Sequence, residues 1–258
     1  MPELQDILNQ YGKQYTQNHN LPIYVNKTLN AIEKCRTAEL GAHEDVCDYC
    51  GHKKISYNSC RNRHCPKCLM SAKEKWIYNQ KFDVLNVKYF HVVFTLPDIL
   101  NKVVYYNQTK MYNVLFKSVS ETLQQLAQDK KYLGAQIGFT TILHTWGQNL
   151  KDHPHIHCIV PAGGLDNLGK WKNSKKKFFI PVKVLSKVFR GKFIYYMKQE
   201  KIDFVKEIEY LKVIQEFDKF ISNLYAKDWI VYCKPPFKNA NSVIEYLGRY
   251  THRVAISN

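Results

Sequence analysis

The sequence has 258 residues and carries 38 lysines and arginines against 22 aspartates and glutamates, a formal net charge of +16 with neutral histidines. Apolar residues make up 45% of the chain, enough for a folded core, so general disorder is excluded. A surface this basic predicts a polyanionic partner, with nucleic acid ahead of an anionic membrane, because neutralising phosphates releases counterions.

Residues 1–34 are expected to form an N-terminal helical segment without chemistry of its own. Apolar residues at Leu21, Val25, Leu29 and Ile32 recur at helical spacing. The start, MPELQDILNQ, lacks the apolar run of a secretory signal, and no stretch approaches the ~20 apolar residues of a membrane span. Because the clustered cysteines that follow favour a reducing compartment, we expect a cytoplasmic protein with no membrane partner.

Residues 35–80 are expected to form a small zinc-binding module. Two pairs, Cys47-x2-Cys50 and Cys65-x2-Cys68, are separated by 14 residues, and each pair can hold one side of a tetrahedral zinc ion. Four thiolates leave no open coordination position, so this zinc would be structural; buried or free thiols are the simpler alternative. A second zinc could be held by the remaining candidates, Cys35, His43, Cys60 and His64. Basic residues among these ligands predict phosphate contacts by Arg61, Arg63 and Lys67.

Residues 81–258 are expected to form an α+β domain, a sheet with helices packed on one face. Four runs rich in β-branched and aromatic residues predict strands: VKYFHVVFTLP, IGFTTILHTWG, HIHCIVPAGG and DWIVYCK. Apolar spacing over residues 99–129 predicts one or two amphipathic helices, and ANSVIEYLGRYT predicts another.

The pair His155-x-His157 is the first candidate for catalytic chemistry. Residues i and i+2 of a strand project from the same face, so both imidazoles can meet one divalent ion while Ile156 and Cys158 face the core. Structural or exposed histidines are an equally good interpretation of this pair alone. Gln148 is the candidate third ligand, with three rivals: His153, Glu245 and His252.

Tyr246 and Tyr250 stand four residues apart, so they lie on one face of the predicted helix. A phenolate is a competent nucleophile, and a phosphate ester of tyrosine keeps the bond energy needed for later strand joining. Taken alone, two aromatic residues at this spacing are more often part of a core.

The stretch from Lys170 to Lys192 is strongly basic and contains aromatic residues, among them Trp171 and Phe189. Cations for the backbone and aromatic faces for unstacked bases suit a groove for single-stranded nucleic acid; a solvated basic face is the alternative. The DNA-contact candidates outside the zinc module are Lys172, Lys175, Lys176, Lys177, Arg249 and Arg253.

Three motifs in this order, SCRNRHCPKC, HPHIHCIVPAGG and EYLGRYTHRVAIS, resemble the rolling-circle transposases of the insertion-sequence-91 type, within the HUH class of nucleases. The resemblance covers residues 35–258. It implies an N-terminal zinc module, a ferredoxin-like nuclease palm, and transposition through single-stranded DNA. By matching position, His155 and His157 would hold Mg²⁺ or Mn²⁺, and Tyr246 and Tyr250 would form a 5′-phosphotyrosine with transposon-end or target DNA. Gln148 as third ligand follows by analogy with related initiator nucleases.

Such transposases generally continue well beyond the tyrosine helix, whereas this sequence stops at Asn258. A natural short form, a domain over 81–258 truncated at its C-terminus, and the ordered part of a longer chain are three open interpretations. Residues 1–258 contain no GxxxxGK[ST] motif, so unwinding must come from elsewhere. Two alternatives stay open. One is a non-catalytic, zinc-dependent DNA-binding protein, and the other is a relaxase or replication initiator with the same chemistry.

Overall fold

The computed structural model describes residues 3–147, 151–174, 180–237 and 240–251. The described residues form two compact units, one from 3–83 together with 244–251, the other from residues between 84 and 243.

The first unit is mainly helical, with one antiparallel hairpin. Its elements are α1 (Leu4–Asn18), α2 (Ile23–Glu33), β1 (Ala42–Val46), β2 (Lys53–Tyr57), α3 (Pro66–Asp83) and the residues from 244 onward of α8 (Ala240–Thr251).

A small core that includes cysteines organises this unit. Buried Ile32, at the end of α2, packs with Cys35 and Cys65, and Leu4 and Leu8 of α1 pack against the same group. Two of the three buried residues of this cluster are cysteines, which is typical of domains that a metal organises.

The second unit contains the larger core and two sheets. Its elements are β3 (Tyr89–Thr95), α4 (Asn101–Tyr106), α5 (Gln108–Gln128), β4 (Thr140–Trp146), β5 (Asp152–Pro161), β6 (Gly163–Leu165), β7 (Trp171–Asn173), α6 (Val182–Gln199), α7 (Ile214–Ala226) and β8 (Val231–Phe237).

The main sheet has the order β4-β5-β3-β8, and every neighbouring pair is antiparallel. In chain order the unit runs strand, helices, strand, strand, helices, strand. This combination of connections and sheet order is the ferredoxin-like arrangement, so the expected α+β class and palm are confirmed. The four strands predicted from sequence and the helix over residues 240–251 are also present.

One face of the main sheet packs on the helices. Phe94 of β3 contacts Phe189 of α6 at 5.1 Å between ring centroids, and Ile156 and Cys158 of β5 are fully buried in the same core. Alternation along β5 therefore directs His155 and His157 to the opposite face.

Phe189 corrects one expectation from the sequence. Its side chain is fully buried, so it stabilises the core and cannot stack on a nucleobase. The signal was misleading because α6 exposes Lys183 and Lys187 while it buries Phe189 and Phe193, and composition alone does not show this difference. None of the described helices is long and apolar enough to cross a bilayer.

Candidate functional site

Three histidines converge on the sheet face opposite to the helices. His155 and His157 lie on β5, and His144 on β4 pairs directly with His155. One ring nitrogen of each residue lies within 4.8 Å of the other two, and the ring centroids are 4.7 to 5.2 Å apart. Three nitrogen atoms this close can contact a single divalent cation.

The environment keeps the imidazoles of His155 and His157 neutral. Burial lowers the pKa of His155 to about 4 and that of His157 to about 2, and neighbouring imidazoles disfavour a further positive charge. Both rings are therefore deprotonated at neutral pH, which is the form that binds a metal.

Hydrogen bonds orient two of the three rings. Nδ1 of His155 lies 2.6 Å from the carbonyl oxygen of His153, so it donates a hydrogen bond and Nε2 is left to face a ligand. Nδ1 of His157 lies 2.8 Å from Nε2 of His91, a buried residue of β3. Burial, reinforced by Lys234, lowers the pKa of His91 to about 4, so His91 is also neutral.

The structure brings a different third histidine to this site from any the sequence suggested. Gln148 and His252 lie outside the described residues. His153 is half-buried, 4.0 Å from Asp98, and outside the three-histidine group. Glu245 is an exposed residue of α8, in the first unit.

His144 and His91 were missed from the sequence. Each is a single histidine within a strand that is otherwise apolar or β-branched, ILHTW and YFHVV. A polar residue at such a position is the available signal, because a buried imidazole needs partners.

A second cluster consists of four cysteines in the first unit: Cys35, Cys60, Cys65 and Cys68. Three of the Sγ–Sγ distances, Cys35 to Cys68, Cys60 to Cys68 and Cys65 to Cys35, are 3.6 Å. A zinc ion with Zn–S bonds of about 2.3 Å requires edges of about 3.8 Å, so the cluster has the dimensions of a tetrahedral zinc site.

Electrostatics also favours a cation among these thiols. Burial raises the pKa of Cys60 and of Cys65, so four thiolates are held together only if a cation compensates their charge. Closed four-thiolate coordination is typical of structural zinc.

The structure groups the cysteines differently from the predicted pairing. Cys47 and Cys50 lie at the exposed end of the β1–β2 hairpin, where two backbone hydrogen bonds of 2.9 Å link Cys47 with Gly51 and His52. Backbone N–H groups of Cys50 and Tyr49 lower the pKa of the Cys47 thiol. Among the side chains that the structure describes, no third ligand atom joins this pair.

The candidates for a second zinc are thus divided. Cys35 and Cys60 belong to the four-cysteine cluster. Cys35 is buried just after α2 and packs with Cys65, just before α3. His43 is exposed, 4.0 Å from Asp45, and His64 is exposed beside Arg63.

Tyr246 and Tyr250 both lie in α8, as the sequence predicts. The Tyr246 side chain is half-buried, and that of Tyr250 lies outside the described side chains. Gly248 between them packs on α3: a Cβ there would lie 2.5 Å from Cδ1 of Ile77. A larger residue there would displace the Ile77 side chain, so the glycine allows this close helix contact.

The predicted DNA-contact residues of the zinc module differ in their surroundings. Arg61 and Arg63 are exposed. Lys67 instead pairs with Glu3 at 2.6 Å and donates a hydrogen bond of 2.8 Å to Gln5, so it holds α1 against α3.

In the second unit, Lys172 of β7 is half-buried. Arg249 belongs to α8, but its side chain is not among those described. The remaining candidates lie outside the described residues: Lys175, Lys176, Lys177 and Arg253.

Comparison with known proteins gives matches along most of the chain. A family model described as "Transposase zinc-binding domain", of the IS91 type, matches residues 7–96, and one described as "Putative transposase" matches residues 138–258. The chain is 44% identical to "Putative transposase y4qJ" of Sinorhizobium fredii (strain NBRC 101917 / NGR234) over 263 aligned residues, covering 100% of this chain and 66% of the relative. It is 28% identical to "Transposase for insertion sequence element IS801" of Pseudomonas savastanoi pv. phaseolicola, covering 90% of this chain and 56% of the relative.

Solved structures of the conjugative relaxase TrwC in complex with DNA are also similar. A metal-bound complex aligns with a TM-score of 0.36 and 9% identity, covering 63% of this chain and 70% of that one. A complex with a 27-mer DNA aligns with a TM-score of 0.37 and 12% identity, covering 65% and 68%. The two sequence models and the curated relatives agree on the family: the chain belongs to the insertion-sequence-91-type transposases.

Proposed function

We propose that the chain cleaves and rejoins single-stranded DNA as a rolling-circle transposase, with a tyrosine nucleophile and a divalent cation at His144, His155 and His157. The observation that carries this proposal is the convergence of three imidazoles on one sheet face, in a member of a transposase family with a net charge of +16. The chain spans 66% and 56% of the length of the two curated relatives described above.

The three imidazole ligands favour some divalent metals over others. Mg²⁺ prefers oxygen ligands, whereas imidazole nitrogen suits softer divalent ions. Of the two ions expected from the sequence, Mn²⁺ therefore fits this site better than Mg²⁺. A cation bound there would polarise a non-bridging phosphate oxygen and offset the charge that develops in the transition state.

The histidines serve this chemistry by being fixed and neutral. The hydrogen bond from Nδ1 of His155 to the His153 carbonyl oxygen fixes the ring that faces the ligand. His91 does the same for His157 from the neighbouring strand. His91 is thus proposed as a positioning residue that does not itself contact the metal or the DNA.

Tyr246 and Tyr250 are the proposed nucleophiles. The phenolic oxygen of one tyrosine attacks the scissile phosphorus, the bond from phosphorus to the 3′-oxygen breaks, and the departing oxygen takes up a proton. A phenol with an ordinary pKa of about 10 is protonated at pH 7, so its proton must pass to a base during the attack. The product is a 5′-phosphotyrosine and a free 3′-hydroxyl. That hydroxyl can reverse the reaction at a second phosphotyrosine and join two strands.

The test uses single-stranded oligonucleotides that cover the flanks of the gene, labelled at the 3′ end so that a 5′-phosphotyrosine adduct keeps the label. Incubation with Mn²⁺ followed by denaturing electrophoresis should show labelled protein. His144→Ala should abolish the adduct, while the nearby His153→Ala variant, which preserves the carbonyl contacted by His155, should retain it.

The nucleophile is tested in the same assay. A Tyr246→Phe/Tyr250→Phe variant should bind DNA but form no adduct, whereas replacing the fully exposed Tyr49 with Phe should change nothing. Full adduct yield from the double variant would remove the tyrosine assignment. Complete absence of adduct from the unmodified chain, with DNA binding intact, would favour a non-catalytic DNA-binding protein.

A further inference from the structure

A short hairpin of the second unit directly follows β5, the strand that carries His155 and His157. Strands β6 and β7 pair antiparallel, with Leu165 opposite Trp171, and residues 166–170 form the tip. Neither strand belongs to the main sheet, so the hairpin is a separate feature of the surface.

The tip is held rigidly by its own hydrogen bonds. Oδ1 of Asp166 accepts hydrogen bonds of 2.9 Å from the backbone N–H groups of Leu168 and Lys170. Backbone bonds of 2.9 Å from Asp166 to Lys170 and from Gly169 to Asp166 close the turn, and Gly169 adopts a φ of +73° that favours glycine. Leu168 is therefore presented in one fixed position.

The base of the hairpin is anchored just as firmly. Leu165 and Gln136 exchange backbone hydrogen bonds of 2.8 and 2.9 Å. Two glycines allow this contact: a Cβ at Gly164 would lie 2.3 Å from the Gln136 oxygen, and one at Gly163 would lie 2.5 Å from the Trp171 ring. These are the two glycines of the PAGG sequence, so their presence has a structural reason.

The tip exposes an aliphatic side chain to solvent: Leu168, at the apex, is 81% exposed. Leu165 and Trp171 below it are 50% and 37% exposed.

Lysines surround this apolar tip. Lys170 and Lys172 lie on the hairpin, and Lys130 and Lys131 lie on the neighbouring turn after α5, where a Cβ on Gly134 would lie 2.9 Å from Nζ of Lys172 and 3.2 Å from Cα of Lys130. The acids of this surface, Asp129 and Asp166, each accept backbone hydrogen bonds that hold the turns. An apolar apex within a basic surface is complementary to a nucleobase step flanked by phosphates.

We propose that this hairpin is a wedge that inserts Leu168 at the boundary between duplex and single-stranded DNA, with Lys170 and Lys172 contacting the adjacent phosphates. Apolar side chains in other DNA-binding proteins unstack base steps in this way, and the lysine contacts offset the cost of unstacking. This inference rests on the proposed function, since it assigns the hairpin a part in exposing the substrate strand.

The experiment measures binding without divalent cations, so its result does not depend on cleavage. The probe is a DNA hairpin with a single-stranded 3′ extension and 2-aminopurine at the junction, whose fluorescence rises on unstacking. The unmodified chain should raise this fluorescence. Leu168→Ala should abolish the rise and weaken junction binding about five- to tenfold, with little effect on a fully single-stranded oligonucleotide.

The lysines are tested by salt dependence. A Lys170→Ala/Lys172→Ala variant should reduce the slope of log K against log salt concentration by about 1.4 to 1.8, since each phosphate contact contributes about 0.7 on single strands and 0.9 on duplex DNA. The matched variant Lys198→Ala/Lys219→Ala, at two exposed lysines of α6 and α7, should not change the slope. Ile214→Ala, at a 73% exposed residue of α7, is the control for Leu168.

Unchanged melting temperatures would confirm that each variant is folded. Fluorescence and junction affinity that survive in Leu168→Ala would overturn the wedge, as would equal losses on junction and single-stranded probes. If the unmodified chain unstacks the junction but forms no adduct with Mn²⁺, the wedge stands and the proposed nuclease function fails.

Discussion

Replacing Cys35 with serine is expected to release the structural zinc and loosen the N-terminal helices, whereas Cys47→Ser leaves both in place. The Cys35 sulfur lies 3.6 Å from the sulfurs of Cys65 and Cys68, while Cys47 lies on the exposed hairpin outside this group. The two variants therefore distinguish the grouping in the structure from the pairing of the two CxxC motifs.

The expected loss of zinc affinity is calculated by treating the four cysteine ligands as equivalent. Structural zinc binds with about 10 to 16 kcal/mol, so each thiolate contributes about 2.5 to 4 kcal/mol, and losing one weakens zinc binding about 100- to 1000-fold. Because Leu4 and Leu8 pack on the cluster, the loss reaches α1 and α2. Helix α1 is also tied to Cys35 by a hydrogen bond of 2.9 Å from Gln5 to its carbonyl oxygen.

Zinc affinity is measured by competition with a chromophoric chelator, and the helices are monitored by the rate of tryptic cleavage at Lys13 and Lys27. Cys35→Ser should lose zinc and be cleaved faster. Cys47→Ser should keep the zinc of the four-cysteine cluster and be cleaved at the unmodified rate. If Cys35→Ser retains zinc and slow cleavage while Cys47→Ser and Cys65→Ser both lose them, the structural grouping is refuted.

Three further outcomes are expected in the second unit. His91→Leu should weaken Mn²⁺ binding about 10- to 100-fold in calorimetric titration, because the 2.8 Å contact that orients His157 is lost; unchanged affinity would contradict the positioning role. The pKa of His91 is lowered from 6.5 to about 4, so the unfolded chain binds more protons between these values and metal-free stability should decline as pH falls from 6.5 to 4. His91→Leu should flatten that decline by at most about 3 kcal/mol in urea titrations, and an identical pH profile would refute this assignment. Gly164→Ala should cost about 2 to 4 kcal/mol because its Cβ would meet the Gln136 oxygen at 2.3 Å, whereas Gly191→Ala, in open space on a helix, should stabilise slightly; equal melting temperatures would contradict the close approach.

The main sheet could be predicted because its strands carry strong local signals. Val92 and Phe94 belong to a β-branched and aromatic run, and the core positions of β5 alternate with its histidines. The stretch from residue 170 to 192 was harder to interpret: most of its lysines precede α6, and the buried Phe189 of α6 was interpreted together with them. Composition over a window cannot separate two faces of one helix.

The cysteine grouping could not be deduced from spacing. A CxxC pair ensures that Cys65 and Cys68 share an ion, but which other ligands join them depends on the path of the chain between them. In this fold the end of α2 brings buried Cys35 to the pair, and the turn at residues 60–65 returns Cys60 to it. The hairpin holding Cys47 extends into solvent instead. Spacing therefore predicts that the cysteines bind zinc, and the tertiary structure decides which cysteines share one ion.

His144 was missed because its place beside His155 depends on the register between β4 and β5. Taking the polar stretch QNLKDHP over residues 148–154 as the turn would centre the hairpin on residue 151 and place Gly147 opposite His155. The observed register pairs His155 with His144 instead, and an irregularity separates this pair from that of Trp146. The difference is three residues, an odd number, and an odd shift exchanges the two faces of a strand. An error of three residues in the register would therefore place His144 on the core side of the sheet. In the folded chain its imidazole instead lies beside those of His155 and His157.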